Sequence, residues 1–127
     1  MNKGEKISKG VLWTSYILQG ILVVMFLMGA LNYLFQTQRV IAGAVEMGYP
    51  KTSLLYLGFV LLFATILYAI PKTTFVGGLL LTAYLGGAVA THLINNDTFL
   101  NIISPVLFGI MVWLSICLRN GKLRALL

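Results

Sequence analysis

Four long apolar runs, residues 11–35, 53–70, 75–94 and 99–118, take up most of this chain of 127 residues. A helix rises about 1.5 Å per residue, so runs of this length reach across a hydrocarbon core about 30 Å thick. A water-soluble domain keeps about a quarter of its residues charged. Here only 9% are charged and 59% are hydrophobic, which excludes a soluble fold. The expected class is all-α, a single integral membrane domain over residues 1–127 built as a four-transmembrane-helix bundle. The first ten residues are short and basic, with Lys3, Lys6 and Lys9 around Glu5. A signal peptide would continue with an apolar core of only about 7–15 residues. The run at 11–35 is longer, so it is expected to stay as the first spanning helix.

The longest connection, residues 36–51, carries a pattern of its own. Val40, Ile41, Ala44 and Val45 recur at helical spacing, while Arg39, Gly43 and Glu46 mark another side. This predicts a short amphipathic helix lying at the interface or lidding the bundle mouth. Gly48 is placed to end it, and Tyr49-Pro50 forces an extended exit. Thr52 or Ser53 is placed to cap the next helix, which stops at Pro71.

Four crossings put both ends of the chain on one side, together with the Lys72 turn. Lys3, Lys6, Lys9, Lys72, Arg119, Lys122 and Arg124 gather there, against Arg39 and Lys51 opposite. The positive-inside rule then places the N- and C-termini in the cytoplasm. The net charge of +6 sits at segment ends rather than in a stripe. It reads as orientation and contact with anionic lipid, not as a nucleic-acid footprint.

The third run has a row of small residues at four-residue intervals, Gly78, Thr82, Gly86 and Ala90, with Ala83 and Gly87 beside it. Membrane helices use such rows for close backbone approach, so this face is expected to pack against a neighbour. The other half carries Tyr84 and Thr91, with His92 in the next sector. Topology brings Arg39, Glu46, His92 and Asp97 to one mouth of the bundle. Two readings of that cluster stand side by side. In one, Arg39 and Glu46 only flank an interfacial helix, Asp97 caps the fourth helix, and His92 reaches water. In the other, His92 with Tyr84, Thr91, Glu46 and Arg39 holds a small ligand, His92 being suited to proton exchange near neutral pH. A hydrogen bond between helices equally explains Tyr84 with Thr91, and also explains Gln19 deep in the first run. Trp13 and Trp113 fall where aromatic belts sit. One cysteine, Cys117, allows no intramolecular disulfide or thiolate metal site. One histidine allows no bis-histidine haem within a single chain. No metal is expected, and no self-contained catalytic motif is present.

Several stretches, Met47-Gly48-Tyr49-Pro50, Tyr68-Ala69-Ile70-Pro71, the run from Ala83 to His92, and Arg119 with Arg124-Ala125-Leu126-Leu127, resemble the DoxX family, in particular its short DoxX-like branch. The resemblance implies a four-helix inner-membrane protein. Some relatives are associated with quinone-linked oxidation of sulfur compounds or with redox-stress complexes, and an animal branch assists receptor assembly. Many carry an acidic residue in the second helix, where this chain has Gly58-Phe59-Val60-Leu61. Three function classes follow. The first is an accessory or redox-linked subunit binding a quinone-like molecule, and the second is an assembly protein acting by helix packing, alone, as a homo-oligomer or with other membrane subunits. The third is a small transporter, which the absence of a carboxylate from the first run disfavours.

Overall fold

The computed structural model describes residues 8–125. Lys3, Lys6 and Glu5 lie outside them, as do Leu126 and Leu127. Six helices follow in order: α1 Lys9–Phe35, α2 Gln38–Glu46, α3 Ser53–Ala69, α4 Thr74–Ile94, α5 Phe99–Arg119 and α6 Gly121–Ala125. A 3-10 turn, Pro71–Thr73, precedes α4.

Local chemistry explains most of the boundaries. The Ser8 hydroxyl accepts the Val11 N–H to start α1, and Gln36 closes that helix in the left-handed region at φ 52°. Thr37 caps α2 in the same way. Gly48, at φ 93°, ends α2 and sends the Tyr49 N–H back to the Ala44 carbonyl at 2.9 Å. Neither Thr52 nor Ser53 caps α3 with its side chain. Thr52 is itself helical in conformation, and the Ser53 hydroxyl donates to the Pro50 carbonyl at 2.7 Å. At the end of α3, Ile70 is extended ahead of Pro71. The Thr73 and Thr74 hydroxyls donate to the Leu67 and Ile70 carbonyls, which the helix end would otherwise leave unpaired. Thr98, not Asp97, caps α5, and that helix runs on through Pro105.

The long helices close a ring: α1 packs on α3 and α5, and α4 packs on α3 and α5. Leu22, Phe26 and Ala30 of α1 meet Leu61, Ala64 and Tyr68 of α3, Leu81 and Leu85 of α4, and Val112 and Ile116 of α5. The outside is as apolar as the inside. Phe35, Tyr56, Phe59, Phe63, Phe99 and Leu100 are all exposed, an apolar surface of the kind that faces lipid or a partner helix. Three segments are long and apolar enough to cross a membrane: α1, α4 with its leading turn, and α5. Helix α3 is apolar but has 17 residues, because Pro71 cuts it short.

The polar groups inside the ring gather at the end where α1 begins and α5 finishes. Ser15 donates to the Ser115 carbonyl at 2.7 Å, and the Gln19 amide donates to the Tyr68 carbonyl at 2.8 Å. The Tyr68 hydroxyl meets the Ser115 hydroxyl, which also donates to the Val112 carbonyl. Arg119 donates to Ser15 Oγ at 2.9 Å and lies over the Tyr16 ring. Ser15, Tyr68 and Ser115 are fully buried, so this network ties α1, α3 and α5 together out of water.

The rotation of α4 differs from the sequence expectation. Its buried face is Thr74, Gly77, Gly78, Leu81 and Leu85. A Cβ on Gly77 would lie 2.1 Å from the Tyr68 backbone nitrogen, so α3 and α4 touch backbone to backbone there. Of the expected small row only Gly78 is at a tight contact, where an added Cβ would lie 2.8 Å from the Ile116 side chain. Thr82, Ala83, Gly86, Gly87 and Ala90 are exposed, and a Cβ on Gly86 or Gly87 would meet nothing within 4 Å. The helix has turned one sector away from the row, because the Gly77 crossing allows the closer approach.

Candidate functional site

A cavity of about 460 Å³ lies beneath α2, at the opposite end of the ring from the buried network. Helix α2 is amphipathic, and its apolar side, with Val40, Gly43 and Ala44, forms the roof. Leu57 and Ala88 are among its apolar walls, and Tyr33, Tyr49, Tyr84, Thr91 and His92 supply its polar groups. Two contacts fasten the roof to α4. The Tyr49 hydroxyl bonds to Thr91 Oγ1 at 2.5 Å, and the Asn95 amide donates to the Met47 carbonyl at 3.1 Å. Because Thr91 Oγ1 also lies 2.9 Å from the Gly87 carbonyl as donor, Tyr49 is the donor to Thr91.

His92 is held from behind. Its Nδ1 is 2.7 Å from Asp97 Oδ2, so that nitrogen donates to the carboxylate and Nε2 remains for another partner. The other Asp97 oxygen accepts from the Asn101 amide and the Thr98 N–H, both at 2.8 Å. The Asn101 bond above all, then the Thr98 bond and the His92 contact, hold the Asp97 carboxyl below the usual carboxylate range. The turn between α4 and α5 is thus a bracket that fixes the imidazole.

Of the residues singled out in the sequence, His92, Tyr84 and Thr91 line the cavity together. Arg39 and Glu46 do not. Both are exposed on α2 and point away from the roof, since Val40 and Ala44 occupy the inward stripe. Among the described residues the single ion pair is His92–Asp97, so Asp97, rather than Glu46 or Arg39, is the charged partner of His92. Tyr33, Tyr49 and Asn95 join the site without having been singled out. For Tyr49 a signal existed: it sits beside the Gly48 turn that returns the chain to α3. Gly87, read as a packing position, instead lines the cavity.

Two other cavities are differently lined. A groove of about 580 Å³ between α4 and α5 is almost wholly apolar, with Gly86, Gly109 and Cys117 along it. Trp113 donates to Thr82 Oγ1 at its edge. A larger cavity of about 840 Å³ opens at the end of the buried network. The described residues hold no group of three or more His, Cys, Asp or Glu placed to take a metal ion.

Comparison with known proteins bears on the whole arrangement. No curated protein and no solved structure matches the chain. The model of the DoxX-like family matches residues 17–115, from inside α1 to inside α5. That span takes in the roof helix, the cavity and the Asp97 bracket. With helices able to cross a lipid bilayer, this chain is a multi-pass membrane protein and belongs to the DoxX-like family.

Proposed function

We propose that the cavity beneath α2 binds a lipophilic small molecule, quinone-like on family grounds, in a small accessory or redox-linked membrane subunit. One observation carries this reading: apolar walls and a few convergent polar groups meet in a half-open cavity under α2, the usual form of a small-molecule site. The ligand's polar end lies at His92, whose Nε2 accepts or donates a hydrogen bond while Asp97 fixes the ring. Its body runs past Tyr84 along Leu57 and Ala88. Three variants test this in detergent with a quinone analogue. His92→Ala is expected to weaken binding roughly tenfold, the worth of one hydrogen bond, and Tyr84→Phe about fivefold. Gly87→Leu fills the cavity from a position where an added Cβ meets nothing within 4 Å, so it is expected to abolish binding while thermal stability holds. Equal binding by wild type and Gly87→Leu, or no binding by wild type, sinks the proposal.

The exposed small row favours a second reading. Thr82, Gly86 and Ala90 have room for a foreign helix, so assembly with another subunit or a second copy is the alternative if no ligand binds. In either case we infer four crossings, with α3 as a short one, since 17 residues is the lower bound of spanning length. Both chain ends then face the cytoplasm across the inner membrane. A cysteine placed at Asn96 on a Cys117-free background is expected to label in intact cells. Labelling only after permeabilisation reverses the orientation.

A further inference from the structure

The large cavity at the end where α1 begins and α5 finishes has a cationic mouth. Lys72 comes from the turn before α4, Arg119 from the last residue of α5, and Lys122 from α6. Three separate elements thus bring three basic side chains to one opening, and the described residues offer them no carboxylate. Glu46 and Asp97, the two acidic residues described, both lie at the opposite end, and the single ion pair among the described residues is there too. Arg119 is already positioned. One guanidinium nitrogen donates to fully buried Ser15, and the plane rests over the Tyr16 ring, 4.4 Å from its centroid. A guanidinium has five N–H donors, and its fork matches the oxygens of a phosphate. The same cavity is also lined by Gly20, Val23, Phe75 and Ile116, so basic and apolar side chains share one lining.

We propose that this cavity binds a phosphoryl anion, supplied by the headgroup of an anionic phospholipid. Arg119 takes two phosphate oxygens, Lys72 and Lys122 neutralise the charge, and the first carbons of the acyl chain lie on the apolar wall. The mixed lining favours a lipid over a soluble phosphate, because a free ion makes no use of Val23 or Phe75. Membrane proteins commonly recognise anionic headgroups with basic pockets between helices near the cytoplasmic surface.

The test uses the full chain in nanodiscs of phosphatidylcholine with and without phosphatidylglycerol, followed by native mass spectrometry of the lipids retained after transfer to detergent. Wild type is expected to retain phosphatidylglycerol in preference to phosphatidylcholine. Lys72→Gln combined with Lys122→Gln leaves the Ser15–Arg119 contact in place, so the fold is undisturbed. At about a fivefold loss per lysine near an anionic surface, this pair is expected to weaken retention roughly thirtyfold. Lys51→Gln combined with Arg39→Gln, at the far end, changes nothing. Equal retention by wild type and the Lys72/Lys122 variant overturns the site. Thermal stabilisation by inorganic phosphate in pure phosphatidylcholine, without any phosphatidylglycerol preference, overturns the lipid source in favour of a soluble phosphate.

Discussion

The two ends of the ring use similar side chains for opposite purposes. At one end Ser15, Tyr68 and Ser115 are fully buried and bonded to each other or to carbonyls, with Arg119 reaching in to Ser15. At the other, Tyr49, Thr91 and His92 are part-exposed around an open space, and their bonds fasten a roof rather than fill a core. A hydroxyl with every valence satisfied in a dry interior holds helices together. A hydroxyl beside a cavity is available to something else. The difference lies in what surrounds each group, since Tyr, Ser and Thr occur at both ends.

The largest effect is expected where the end that holds the buried network meets the crossing of α3 and α4. Gly77 touches the Tyr68 backbone, which cannot move aside as a side-chain tip would. Gly77→Ala should cost about 1–3 kcal/mol or more, and Gly77→Leu should not yield folded protein. Gly86→Ala, on the same helix but facing open space, should stay within about 0.5 kcal/mol of wild type. Thermal unfolding in one detergent checks all three. Similar losses at Gly77 and Gly86 would mean that the helix is turned the other way.

That pair of glycines also shows what the sequence leaves open. The apolar runs and their punctuation by Pro50, Pro71 and Asn95-Asn96 mark the helices, because chain-breaking chemistry is local. Rotation is not local. Helix α4 is apolar nearly all round, so no polar stripe selects the row of Gly78, Thr82 and Gly86 over the row of Gly77, Leu81 and Leu85. Helix α2 does carry such a stripe, and its orientation is readable. Placing Arg39 and Glu46 in the site overlooks that Val40 and Ala44 already face inward. The buried network leaves no trace in spacing, since its partners are single hydroxyls as far apart as Ser15 and Ser115, 100 residues. Asp97 was in view as a capping residue. Its role behind His92 depends on the turn at Asn96, where φ is 51°.

An intermediate effect should separate the two ends directly. Ser115→Ala strands the Tyr68 hydroxyl in a place water does not reach, which costs about 1–3 kcal/mol. Thr91→Ala removes a comparable partner from Tyr49, but that hydroxyl sits beside a cavity and finds another acceptor. A loss of about 0.5 kcal/mol is expected, near the average for hydroxyl bonds between membrane helices. Matching losses from the two variants would show that the roof contact is as dry as the core contact.

The smallest effect concerns pH, and it too should fall on one end alone. The Asp97 carboxyl is held below its ordinary range by Asn101, Thr98 and His92. A carboxyl with a depressed folded value adds stability that is complete above its unfolded value, about 3.9, and is lost as pH falls through the folded one. Asp97 should therefore leave thermal stability level from neutral pH down to about 5, then contribute to a decline below about 4. Asp97→Asn should change little at neutral pH, because exposed charge pairs are weak, and should make the acid decline shallower. Ser115→Ala lowers stability at every pH without altering that acid limb, since the described residues of its network include no carboxylate. If Asp97→Asn keeps the wild-type acid limb, the carboxylate does not bracket His92. The imidazole would then be free to turn, and the open end would lose the fixed hydrogen-bonding group on which ligand orientation depends.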